Sequence, residues 1–169
     1  AGFGIGAQVI AELEDGQMGG TATVRLPDGA ERAWAVEHGG FIRTWADLEA
    51  FPWPQPGTLP LDVFDAAAAL LPAGMKIIAH AGGMLMSTRM YMGMERFWIT
   101  LGEDPALAVA LLERLQALQI VAIDQATDHL GIGAFFLDED LAHCTGLLES
   151  PRFLRRHMFP FIKQVADLV

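Results

Sequence analysis

The stretch from Gly133 to Lys163 constrains the fold of this chain more than any other. It opens with a short apolar run, Gly133 to Leu137, which holds two adjacent phenylalanines and stops at an acidic triplet at 138–140. A short apolar run between a glycine and charged residues is typical of a buried parallel strand that ends at a functional face. A loop follows, and Ser150 and Pro151 then begin a helix as N-cap and first helical residue. The stretch predicts a strand, a loop and a helix, with carboxylates at the strand's carboxyl end, where ligands bind in α/β folds.

The same stretch resembles the uroporphyrinogen decarboxylase superfamily. The residues that carry the resemblance are Phe136, Asp138, Leu148, Ser150, Pro151, Phe153, Pro160, Phe161 and Lys163. The superfamily contains the haem-pathway decarboxylases and the cobalamin- and zinc-dependent methyltransferases that resemble them, all on a (β/α)8 barrel. The resemblance therefore implies an α/β fold that is a partial barrel of this type, preceded by a β-hairpin.

Composition limits the class of partner. The chain has 169 residues and a formal net charge of -10, with 21 acidic residues against 11 Lys and Arg. This charge repels nucleic acid and anionic lipid, so a small-molecule substrate is expected rather than nucleic acid or a membrane. A single cysteine excludes an internal disulfide, and no signal peptide or membrane span is recognised, which favours the cytoplasm. The length is short for a closed barrel of about 250 residues.

One domain over residues 1–169 is the simplest organisation. Residues 1–74 are expected to hold a hairpin and a proline-rich lead-in. The hairpin covers Thr21 to Val36 around the turn triplet Pro27-Asp28-Gly29, and Trp45 to Pro60 is expected to be loop because four prolines interrupt it.

Residues 75–169 are expected to form βα units. The predicted helices are Leu61–Leu71, Met84–Leu101 with a break near Gly93, and a long helix capped by Asp104 that runs to about His129. The predicted strands are Lys76–Ala81, apolar as if both faces were covered, and Gly133–Leu137. A right-handed crossover then makes these strands parallel neighbours. The chain ends inside its last helix, which predicts an incomplete barrel with open edges that is oligomeric, as a homodimer, or prone to aggregate.

The acidic triplet is the first candidate for chemistry. Carboxylates of Asp138, Glu139 and Asp140 at a strand end can accept hydrogen bonds from pyrrole N–H groups or hold a cation. The plain alternative is a solvated acidic turn. The resemblance implies a catalytic Asp138, because it falls where the decarboxylases keep an Asp after Phe. Those enzymes follow this Asp with Ser, and the negative charge of Glu139 argues against a polycarboxylate such as uroporphyrinogen.

Tyr91, the only tyrosine, is the second catalytic candidate. The resemblance aligns Gly83 and Tyr91 with a glycine and a tyrosine that follow a strand in the decarboxylases, and puts Ser87 in place of a threonine. His80, at a strand end, is a candidate acid, base or ligand. We expect His80, Gly83 and Ser87 to contact substrate together with Glu139 and Asp140. The alternatives are a pocket-wall histidine and a half-buried tyrosine.

No metal site is expected within the chain. His143 and Cys144 are zinc-ligand types, but neighbours in sequence rarely bind one tetrahedral ion and no third ligand is evident. The first turns of the last helix hold several basic residues, Arg152, Arg155, Arg156 and His157. They could offset the charge of Glu149 or bind an anion, but a solvated face is the expectation.

Three functions therefore stay open. The first is decarboxylation of a tetrapyrrole, which needs no cofactor. The second is a methyltransferase that acts on a methyl donor with zinc and a corrinoid, and with a corrinoid protein as partner. The third is a catalytically silent fragment or binding module, because the arginine clamps of the decarboxylases and the zinc ligands of the methyltransferases are both missing. We expect the isolated chain to be a poor catalyst.

Overall fold

The chain alternates helices with short strands in a mixed α/β arrangement. A computed structural model describes residues 21–25, 31–35, 40–55 and 61–169. The strands are β1 Thr21–Arg25, β2 Glu31–Ala35, β3 Ile77–His80, β4 Ile132–Phe136, β5 Ala142–His143 and β6 Gly146–Leu147. The helices are α1 Trp45–Ala50, α2 Asp62–Ala69, α3 Met84–Met92, α4 Met94–Glu103, α5 Pro105–Thr127, α6 Pro151–Phe153, a π-helical segment Leu154–Met158, and α7 Phe159–Leu168.

The N-terminal hairpin is confirmed by its backbone. Strands β1 and β2 are antiparallel, and their register pairs Thr21 with Ala35 and Arg25 with Glu31. The predicted turn triplet falls in residues 26–30, outside the described residues.

Strands β3 and β4 are parallel neighbours in one sheet, as predicted. Their register pairs Ala79 with Phe135 and His80 with Phe136. Helices α3, α4 and α5 connect the two strands along the chain. Because parallel strands end at the same edge of a sheet, the residues that follow His80 and Phe136 lie on one side of the molecule.

Local sequence explains where the helices start and stop. The Asp104 side chain caps α5 by accepting from the Leu107 N–H at 3.3 Å, and Pro105 stands in the first turn. The predicted break near Gly93 is confirmed, since this residue has φ 90° and separates α3 from α4. Ser150 caps α6, where its hydroxyl oxygen accepts from the Phe153 N–H at 3.1 Å.

The main core lies between α3, α4, α5 and the C-terminal helices. Its fully buried side chains include Leu85, Met92, Phe97, Leu111, Leu112, Leu115, Ile123, Leu154 and Met158. By length and composition alone α5 could also cross a membrane, but half of its most apolar window is buried inside the protein, as in the core helix of a globular domain.

The β3–β4 sheet is covered on one face only, within the part of the chain that the structure describes. Phe64, Ala79, Ala122 and Ala126 form a small second core on the covered face. On the opposite face Ile78 is 69% exposed and Phe136 is 55% exposed. The expectation that both faces of β3 would be covered is therefore wrong here: two short strands offer the helices one face, and the side-chain alternation sends Ile78 to the other.

The structure differs from the predicted elements in two further places. The lead-in contains α1, which a reciprocal pair of hydrogen bonds between Thr44 and Asp47 starts before the prolines begin. The C-terminal helix contains a π-helical turn in which the Phe159 N–H donates to the Leu154 carbonyl. Pro160 follows directly; it lacks an N–H and cannot continue α-helical bonding, which accounts for the position of this turn.

Candidate functional site

The carboxyl ends of β3 and β4 bring His80 and Asp138 together. His80 is the last residue of β3, and Asp138 follows the end of β4 at Phe136. The imidazole Nε2 lies 3.3 Å from Asp138 Oδ2, and the two side chains are 42% and 63% exposed. Both groups are therefore held at the strand ends and remain open to solvent.

Contacts with Phe136 support the His80–Asp138 pair. The His80 ring stacks on Phe136 with centroids 5.6 Å apart and an interplanar angle of 27°. The Ala81 N–H donates to the Phe136 carbonyl at 2.9 Å, so the strand pairing continues past His80. With Nε2 on the carboxylate, Nδ1 is the atom left for another partner. An imidazole oriented by a carboxylate in this way is suited to carrying a proton.

Glu139 turns away from the open face. Its Oε1 accepts from the Leu85 N–H at 3.1 Å, in the first turn of α3. Burial raises the pKa of Glu139, opposed by the N–H groups of α3 and by the charge of Arg89. We expected its charge to face an approaching substrate; instead it lies against the start of a helix, where the free N–H groups favour a carboxylate.

Gly83 and Ser87 contribute through the backbone. The Ser87 N–H donates to the Gly83 carbonyl at 2.9 Å within the first turn of α3. A Cβ on Gly83 would lie 2.1 Å from the Asp138 carbonyl oxygen. Glycine at 83 thus lets the start of α3 approach the residues that follow β4, and its contact with substrate stays a prediction.

A buried ion pair that the sequence analysis missed lies behind this edge. Arg89 is fully buried, and its Nη2 and Nε lie 2.6 and 3.1 Å from Oε1 of Glu149. Its Nη1 donates to the Asp140 carbonyl at 2.9 Å. Glu149 is therefore paired with Arg89, whereas Arg152, Arg155 and Arg156 are exposed, as the alternative of a solvated face expected. The available signal was Arg89 itself, the only charged residue in α3.

Tyr91 lies deeper than a substrate-contacting residue would need to be. It is 6% exposed, and its hydroxyl is buried with no hydrogen-bond partner among the residues that the structure describes. Its ring stacks against Trp53 with centroids 6.1 Å apart, and Phe41 and Phe51 complete the cluster. Burial raises the pKa of Tyr91 to about 12. A catalytic role for Tyr91 beside Asp138 stays a prediction.

His143 and Cys144 lie on the small β5–β6 hairpin. The Cys144 Sγ is exposed and 3.3 Å from His143 Nδ1. In the described part of the chain, no three His, Cys, Asp or Glu side chains are placed to hold one metal ion. These two residues do not fit a zinc site of the usual four-coordinate kind.

Two grooves along α5 meet at His157. One, of about 340 Å³, includes Trp98, Glu149 and Phe153 in its lining. The other, of about 470 Å³, includes Glu113, Arg156 and Phe161. Burial lowers the pKa of His157, and the charge of Arg156 acts in the same direction. These grooves run between helices, with neither His80 nor Asp138 in their linings.

Comparison with protein-family models, with curated proteins and with solved structures finds no match to this chain. The candidate site therefore has to be judged on its own geometry.

Proposed function

We propose that the edge formed by His80 and Asp138 is part of a small-molecule enzyme site, on a partial barrel of the uroporphyrinogen decarboxylase type. The observation that carries the proposal is the 3.3 Å contact between the two side chains across the ends of two parallel strands. Ligands of α/β proteins bind at this end, because the loops that follow the strands converge there. The resemblance adds decarboxylation of a porphyrinogen as the reaction.

In this reaction the two residues have complementary roles. Loss of CO2 breaks a carbon–carbon bond, and a proton must take the place of the departing carboxyl group. The Asp138 carboxylate is an acceptor for a pyrrole N–H. His80 is the group that carries the proton, oriented by the same carboxylate. Asp140 extends the acidic edge, and its backbone carbonyl is held by Arg89.

Binding of a porphyrinogen tests the proposal. Asp138→Asn keeps the shape of the side chain and removes the carboxylate charge, and His80→Gln keeps a polar side chain and removes the imidazole. A hydrogen bond to a charged group contributes about 1.5–3 kcal/mol, so each change should weaken binding about 10- to 100-fold in a fluorescence titration. Asp128→Asn, at the exposed C-cap of α5, is the matched control and should bind like the wild type. Equal binding by the wild type and Asp138→Asn would contradict the proposal.

A second candidate function is the methyltransferase branch. The negative charge of the edge that holds Asp138 and Asp140 favours this branch. The guanidinium of Arg89 contacts the edge, but it is already bonded to Glu149 and to the Asp140 carbonyl. An acidic edge of this kind suits a neutral or cationic methyl donor better than a polycarboxylate. The corrinoid and zinc that this branch implies would supply the methyl-transfer chemistry. His143 and Cys144 do not fit the zinc ion, so no step is assigned to it.

Metal analysis separates the two functions. The chain is dialysed against zinc, and bound metal is measured for the wild type and for Cys144→Ser. The decarboxylase proposal predicts no stoichiometric zinc in either protein. One zinc per chain in both proteins, held by ligands other than Cys144, would favour the methyltransferase.

A further inference from the structure

We propose that Arg89 and Glu149 are positioning residues that hold the segment Asp138–Asp140 against helix α3 and so set the place of the Asp138 carboxylate. The functional importance of the Asp138 position rests on the proposed function. The attachment itself can be measured without any ligand.

Arg89 joins three parts of the chain at one point. Its guanidinium binds Glu149, which lies 60 residues away in sequence, and the carbonyl of Asp140, which lies 51 residues away. The guanidinium carbon also lies 5.6 Å from the centroid of the Trp98 ring. A planar guanidinium with several donors in fixed directions can serve a carboxylate and a carbonyl at once, which a single ammonium group does less well.

Two further contacts attach the same segment to the start of α3. Glu139 accepts from the Leu85 N–H, and Gly83 lies against the Asp138 carbonyl oxygen. Three successive residues, Asp138 to Asp140, are therefore each in contact with α3 or the glycine before it. The exposed Asp138 side chain is the part of this segment that projects towards His80.

The energetics of the pair favour a geometric role over a purely stabilising one. Both side chains are almost completely buried, at 0% and 1% exposure, and within the described ranges Glu149 Oε2 has no hydrogen-bond partner. Burial raises the pKa of Glu149, because the protein interior disfavours the charged carboxylate, and the hydrogen bond and charge of Arg89 act in the opposite direction. Replacing both members of such a pair by apolar residues is often neutral or stabilising, whereas removing one leaves an unpaired buried charge. A variant in which both residues are apolar can therefore keep its stability and still lose the attachment of the segment Asp138–Asp140, so the two roles can be measured separately.

The test compares the double variant Arg89→Met/Glu149→Leu with the wild type. Each protein is melted by circular dichroism, and amide hydrogen exchange is measured at Leu85, whose N–H donates to Glu139. We expect the double variant to melt cooperatively near the wild-type temperature, and the Leu85 amide to exchange at least tenfold faster. Lys163→Gln breaks an exposed ion pair with Asp167 and should change neither measurement.

Other outcomes have defined meanings. Wild-type exchange at the Leu85 amide in a folded double variant would overturn the inference. If the double variant does not fold, Arg89→Lys replaces it, because lysine keeps the charge and loses the fixed fork; faster exchange at Leu85 supports the inference and unchanged exchange overturns it. A wild type that binds no porphyrinogen while the double variant shows faster exchange would refute the proposed function and leave the positioning role standing.

Discussion

Replacing Gly83 by alanine tests the close approach that holds the Asp138 segment against α3. Gly83 has φ -100° and ψ 123°, an extended conformation that alanine adopts without strain. The added Cβ would lie 2.1 Å from the Asp138 carbonyl oxygen and 3.2 Å from its carbonyl carbon. The first distance is more than about 1 Å shorter than carbon–oxygen packing allows, and backbone atoms cannot rotate away as the end of a side chain can.

The expected cost follows from this overlap. Forcing one extra carbon into a packed site destabilises a protein by about 1–3 kcal/mol. For a domain of this length each kcal/mol lowers the melting temperature by about 2–4 °C, so Gly83→Ala should lower it by about 2–12 °C. The same movement of Asp138 should weaken porphyrinogen binding.

Gly102→Ala is the matched control. Gly102 lies in α4 with nothing within 4 Å of the added Cβ, and alanine is the better helix former there by about 0.5–1 kcal/mol. The control should therefore raise the melting temperature by about 1–4 °C. Thermal unfolding followed by circular dichroism measures both variants. A Gly83→Ala protein that melts at or above the wild-type temperature would show that the segment after β4 is not held as described.

Three other changes have defined outcomes. Burial raises the pKa of Glu139, so its ionisation opposes folding, and the wild type should lose stability relative to Glu139→Gln as the pH rises above the ordinary value of about 4.3. The buried Tyr91 hydroxyl has no hydrogen-bond partner in the described part of the chain, so Tyr91→Phe should leave stability unchanged or raise it by about 1 kcal/mol. The sheet face that holds Ile78 is open among the described residues, and an open apolar face favours self-association. We expect the wild type to sediment as an oligomer and Ile78→Lys to have a lower sedimentation coefficient.

Each of these changes has its own check. Chemical denaturation at several pH values follows Glu139→Gln, and a stability difference that is constant across pH would contradict the sign given above. Loss of porphyrinogen turnover in a stable Tyr91→Phe protein would instead give Tyr91 the catalytic role that the resemblance implies. Ile99→Lys, an exposed isoleucine on α4, is the control for Ile78→Lys, and a wild type that sediments as a monomer would remove the self-association argument.

Sequence reasoning reached the order and type of the main elements because their signals are local. The side chains of Asp104 and Ser150 cap the starts of two helices. Gly93 separates two helices because it has a backbone conformation that favours glycine. The parallel pairing of β3 and β4 follows from the helices that connect them. Short elements were missed: α1 has six residues and β5 and β6 two each, too few to show a periodic pattern.

In the candidate site, too, residues with local signals were predicted and contacts between distant residues were not. Its strand-end residues, His80 and Asp138, were found because a polar residue after an apolar strand is visible in the sequence. What Glu139 and Arg89 bind was decided by the tertiary structure alone, since their partners Leu85 and Glu149 lie 54 and 60 residues away in sequence. The sequence around a charged residue does not indicate a partner that is distant in the chain. Inside the folded protein these charged groups are paired, because an unpaired buried charge is strongly unfavourable.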